Sequence, residues 1–116
     1  MDAVVTERGR KFAWKLNHQI GTTYEIEQVC SLLHRHAASY DHIQEAWCSE
    51  EMSDWKTAYL MARESAIENR ITELVQYLPE PDSGPWKVEF SGDPRGYTVR
   101  LVTVDGREYG IYEGNG

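Results

Sequence analysis

Cys30, His34, His36, His42 and Cys48 fall within nineteen positions, and thiols and imidazoles are the side chains that hold transition metals. Zinc requires three or four such ligands converging at about 2.0–2.3 Å. Cys30 and His34 are four apart and would share one face of a helix, whereas His42 and Cys48 lie too far along the same helix to close on that pair. Neither C-x-x-C nor H-E-x-x-H occurs in the chain. The five residues therefore read as a core thiol (Cys30), a thiol at a helix end (Cys48) and solvated histidines. A Cys30–His34 dyad would also need an oriented base and an oxyanion site, and the spacing fits packing better. Glu50, Glu51 and Asp54 cluster where a helix begins, a position at which carboxylates suit the helix dipole. No glycine-rich run has phosphate-cradling spacing. The expectation is a non-enzyme with no catalytic residue, no cofactor and no metal.

Two constellations suggest recognition instead. Trp47 and Trp55 bracket the acidic stretch that holds Glu50, Glu51 and Asp54. Aromatic anchors inside an acidic rim are the composition of a binding hot spot for a basic partner. The structural alternative is that both indoles seal the end of a helical hairpin against a sheet. The run Gly92-Asp93-Pro94-Arg95-Gly96, followed by Tyr97, combines fixed and left-handed backbone preferences and would hold Asp93 and Arg95 on a rigid tip. Its structural alternative is a turn in which the Asp accepts backbone N–H bonds and the Arg pairs with a helix carboxylate.

The elements that must position these residues are readable from periodicity. Phe12, Leu16 and Ile20 recur every four residues, which predicts a short N-terminal helix started by Thr6 and stopped by Gly21, with Gly9 weakening its beginning. Thr22 and Glu25 fit a capping box. Ile26, Val29, Cys30, Leu33, Ala37, Tyr40, Ile43 and Trp47 then form one apolar stripe, which predicts a helix from about Thr22 to about Cys48. Ser49 or Ser53 can cap the next helix, whose stripe is Trp55, Tyr59, Ala62, Ala66, Ile67, Ile71, Leu74, Val75 and Leu78, ended by Pro79. Residues 79–85 hold three of the four prolines and read as a stiff connector. The period then falls to two in Trp86-Val88-Phe90 and Tyr97-Val99-Leu101. Asp105-Gly106 marks a two-residue hairpin, and Arg107 to Tyr112 would be the third strand. The predicted architecture is α+β: a long antiparallel helical hairpin (22–78) packed on a small three-stranded antiparallel β-meander (86–112), with a short helix in residues 1–21, all one domain over 1–116.

The 116 residues carry a net charge of −7. Residues 41–80 hold nine acidic and three basic side chains, while residues 1–20 hold four basic and two acidic. Such a field disfavours direct nucleic-acid binding and favours a protein with a basic surface. A nucleic-acid alternative would use Arg95, Arg100 and Arg107 with Tyr97 and Tyr109 as one basic, aromatic sheet face. No apolar run reaches membrane-spanning length, so no membrane is expected and the expected compartment is the cytoplasm, with both cysteines reduced. The free edge of the third strand and a residual apolar face of the hairpin leave room for a homodimer.

Ile43-Gln-Glu-Ala-Trp-Cys48, Gly92-Asp-Pro-Arg-Gly-Tyr-Thr-Val-Arg-Leu101 and Asp105-Gly-Arg-Glu-Tyr-Gly-Ile111 together resemble a group of short uncharacterised proteins from bacteriophages and prophages. Glu45 and Cys48 match the Glu-x-x-Cys pattern that closes a helix in that group. The resemblance implies a setting in the bacterial host cytosol, where such accessory proteins inhibit host machinery, anti-CRISPR and other counter-defence proteins among them.

Overall fold

The computed structural model describes residues 4–49, 53–93 and 96–113, and their side chains except at 18, 19, 44–49, 91–93, 96–98 and 113. In chain order the elements are α1 (Glu7–Ile20), α2 (Tyr24–Ser49), α3 (Asp54–Val75), β1 (Lys87–Asp93), β2 (Gly96–Val102) and β3 (Glu108–Glu113). The strands form an antiparallel sheet in the order β1-β2-β3, so the α+β architecture expected from the change of period is the one the chain adopts. Among the described residues, no helix is long and apolar enough to cross a membrane.

Helix α2 is the shared element. It packs against α1 on one side, against α3 on another, and against β2 and β3. α1 also touches β3. The stripe read on α2 is the core: Ile26, Val29, Cys30, Leu33, Ala37, Tyr40 and Ile43 are all buried. Phe12, Ala13 and Leu16 reach it from α1, and Val99, Leu101 and Ile111 from the sheet.

α1 starts as expected, with the Thr6 hydroxyl accepting from the Gly9 N–H at 3.0 Å, and stops at Gly21, whose φ is 72°. Gly9, expected to be a weak point, has a packing role. A Cβ there would lie 2.0 Å from Ser31 Oγ and 2.7 Å from Ser31 Cα. The missing side chain is what lets α1 and α2 approach so closely. The Thr6 N–H donates to Ser31 Oγ at 2.9 Å, and that hydroxyl donates on to the Glu27 carbonyl at 2.8 Å, which ties the helices at their crossing.

Three local expectations are corrected. α2 begins one residue later than the Thr22–Glu25 capping box requires. Its cap is Thr23, whose hydroxyl accepts from the Ile26 N–H at 3.3 Å, while the Thr22 hydroxyl donates to Asn17 Oδ1 at 3.1 Å. α3 ends at Val75, and residues 76–78 continue in tighter turns, with Leu78 N–H donating to the Val75 carbonyl at 3.0 Å. The β2–β3 turn has three residues, not two. Thr103 N–H donates to the Arg107 carbonyl (2.9 Å) and Gly106 N–H to the Thr103 carbonyl (3.0 Å), with Gly106 at φ 92° as the left-handed residue that closes it.

The register pairs Asp93 with Gly96, so Gly92, Asp93 and Gly96 belong to the β1–β2 ladder rather than to a five-residue loop. A bulge between Val99 and Arg100 shifts the β2–β3 register. It brings both Ile111 and Tyr112 to the helical layer, Ile111 into the core and Tyr112 packed against it.

Candidate functional site

The largest departure from the expected pattern lies on α3. Its buried residues are Leu60, Ile67, Ile71, Leu74 and Val75. Trp55, Tyr59, Ala62 and Ala66, expected on the core stripe, are exposed instead. Trp55 is 72% and Tyr59 56% exposed, one turn apart. At 100° per residue these four fall along one face, about a third of a turn away from Leu60, Ile67 and Ile71. The first half of α3 therefore carries two apolar stripes, and only Leu60 of that half is buried. Asp54 is exposed beside Trp55, so these two of the anticipated residues stand together at the start of α3. Glu50, Glu51 and Arg95 lie outside the described residues, as do the side chains of Trp47, Asp93 and Tyr97.

Next to this face, α2 and α3 enclose an open groove of about 450 Å³ lined by Leu32, Arg35, His36, Ser39, Arg63, Ala66, Ile67 and Arg70. Leu32, Ala66 and Ile67 give it an apolar floor. Three guanidinium groups and an imidazole stand around that floor. Arg70 pairs with Glu73 at 3.4 Å. Among the described residues, neither Arg35 nor Arg63 has a carboxylate within ion-pair distance. Burial holds the His36 imidazole below its ordinary pKa, and the nearby Arg70 and Arg35 charges push it the same way. This cationic groove was not anticipated. Arg63 and Arg70 are seven apart, which places them on one helix face, but their meeting with Arg35 and His36 depends on the register of the hairpin.

The described acidic residues of 41–80 have different surroundings. Asp41 is buried and accepts from the Tyr112 hydroxyl at 3.1 Å, and Glu73 is held by Arg70. Asp54 and Glu80 are exposed.

The thiol and imidazoles of α2 go separate ways. Cys30 is fully buried, and burial, reinforced by Glu27, pushes its thiol up to about 12, so it keeps its proton at neutral pH. His34 meets the Tyr112 ring edge-on at 5.3 Å, and burial, then the Arg8 charge, lowers its pKa. His36 lines the groove, and His42 is exposed. Among the described residues no three His, Cys, Asp or Glu side chains are grouped to hold a metal ion.

Of the residues suggested for a nucleic-acid face, Arg95 and the Tyr97 side chain lie outside the described residues; Arg107 lies within reach of Tyr109, but Arg100 is on the other side of the sheet. Tyr109 pairs with Leu101 on the inner side of the sheet and packs against Trp86 at 5.9 Å. Arg100 sits on the opposite side and binds Glu108 at 3.3 Å, and Arg107 binds Asp105 at 2.8 Å. No family model matches the chain, and neither a curated protein nor a solved structure matches it.

Proposed function

We propose that this chain is a non-enzymatic protein-binding module that docks through the outer face of the first half of α3. One observation carries the reading: Trp55 and Tyr59 project from adjacent turns into solvent, next to Asp54. Solitary exposed hydrophobic residues are ordinary, but a Trp–Tyr pair one turn apart is the residue chemistry that dominates binding energy at protein interfaces. Asp54 at the edge of the pair, with Glu50 and Glu51 close in sequence, favours a partner that sets an apolar pocket beside basic side chains. The resemblance to small phage and prophage proteins extends the proposal to inhibition of a host defence protein in the bacterial cytosol.

The test compares the wild-type chain with Trp55→Ala and Tyr59→Ala as immobilised baits in bacterial lysate. The reading expects a partner that the wild type retains, that salt releases, and that both variants lose while their thermal unfolding stays within about 0.5 kcal/mol of wild type. Equal capture by all three baits would contradict it.

A further inference from the structure

We infer that the groove between α2 and α3 is a binding site for a small organic anion that carries at least two negative charges and an apolar body. The inference does not depend on the docking face. Its first support is the lining: Arg35, Arg63 and Arg70 converge with His36 and Ser39 around a floor of Leu32, Ala66 and Ile67. A volume of about 450 Å³ lies within the range of small-molecule sites, which combine apolar walls with a few placed polar groups. Guanidinium groups are the side chains best matched to carboxylate and phosphate oxygens, because each offers two parallel N–H donors.

The second support is the charge balance. The chain has seven more negative than positive side chains, yet three arginines gather in one groove and only Arg70 has a carboxylate partner among the described residues. On α1, Arg10 pairs with Glu27 at 3.3 Å and Lys11 with Glu7 at 3.7 Å, while Arg8 and Lys15 have no carboxylate within ion-pair distance among the described residues but do not line this groove. Like charges held together oppose folding unless something offsets them. A bound dianion would do so, bridging the α2 and α3 arginines while its apolar part covers Ile67 and Leu32. Arg63 and Arg70 are two helical turns apart, about 10 Å along the axis, so a compact dianion bridges Arg35 to one of the two rather than spanning both.

The experiment titrates the labelled chain with phenyl phosphate, phthalate and inorganic phosphate at constant ionic strength, followed by NMR of the arginine Nε–H groups, the Ser39 and Ala66 amides and the His36 ring. The inference expects saturable shifts confined to these groups, with phenyl phosphate or phthalate binding at least about threefold tighter than inorganic phosphate because the ring covers apolar floor. Which of the two aromatic anions binds more tightly assigns the natural ligand to the phosphate or the carboxylate class. Arg63→Gln and Arg35→Gln should each weaken binding about tenfold, the loss of one charge-assisted contact, with no loss of unfolding stability. Shifts that do not saturate, that appear equally at Arg8, Arg10 and Lys11, or that persist undiminished in both variants would overturn it.

Discussion

The two halves of α3 live in different surroundings. The second half, with Ile67, Ile71, Leu74 and Val75, is sealed into the core. The first half buries only Leu60 and turns Trp55, Tyr59 and Ala62 outward. One helix thus completes the fold at its C-terminal end and presents an aromatic face at its N-terminal end. Side chains of similar hydrophobicity do opposite work, and the difference is which neighbour the hairpin supplies.

Substitution should separate the halves sharply. Leu74→Ala, at a fully buried position, should cost about 2–5 kcal/mol, read from the denaturant midpoint. Trp55→Ala removes a larger side chain and should cost less than about 0.5 kcal/mol. Comparable losses at the two sites would erase the distinction between a sealed and an open half.

The sealed region extends to the α1–α2 crossing. Gly9→Ala adds about 1 kcal/mol of helix propensity, but the new methyl meets backbone at 2.7 Å. The crossing must open, and the net result should be a destabilisation of about 1–3 kcal/mol. A stabilised Gly9→Ala variant would show that the helices are not held at that separation. Tyr112→Phe deletes the donor to the buried Asp41 and should cost about 1–2 kcal/mol, with the His34 ring resonances shifting as their packing partner changes.

Titration gives a third contrast. Cys30 keeps its proton in the folded chain up to about 12, against an ordinary 9.0. Between these values the unfolded state binds fewer protons, so stability falls as pH rises through about 9 to 12. His34 and His36 are shifted the other way. Below their ordinary 6.5 the unfolded state takes protons first, so stability falls as pH drops through that value. Cys30→Ala should flatten the alkaline limb of a stability–pH profile and leave the acid limb in place. A profile with the same alkaline slope in both proteins would place the thiol outside the core.

Much of this organisation is legible in the residues. The α2 stripe from Ile26 to Ile43, the stop at Gly21 and the period-two strands all follow from local chemistry, whereas Ser53 stands at the N-cap of α3 without a side-chain capping bond. The stripe expected for α3 holds at Ile67, Ile71, Leu74, Val75 and Leu78 and fails at Trp55, Tyr59, Ala62 and Ala66, because Trp55-Tyr59-Ala62-Ala66 and Leu60-Ile67-Ile71-Leu74 both recur at helical spacing. Periodicity identifies a helix with apolar faces but does not say which face has a neighbour. The capping box failed for a similar reason: Thr22 and Thr23 can both cap, and the Asn17 side chain took the first hydroxyl. The groove and the Tyr112–Asp41 bond join residues of different elements, the latter 71 positions apart, and only tertiary packing brings them together.

The account rests most heavily on the outward face of α3, and fluorine NMR of the chain labelled with 5-fluorotryptophan tests it most directly. Trp14, 73% exposed on α1, serves as the internal control for Trp55. The account predicts a solvent-accessible Trp55 resonance in the free protein that moves or broadens when the captured partner is added, while Trp14 stays unchanged. A Trp55 signal already shielded in the free chain, or one that ignores the partner while Trp14 responds, would contradict it.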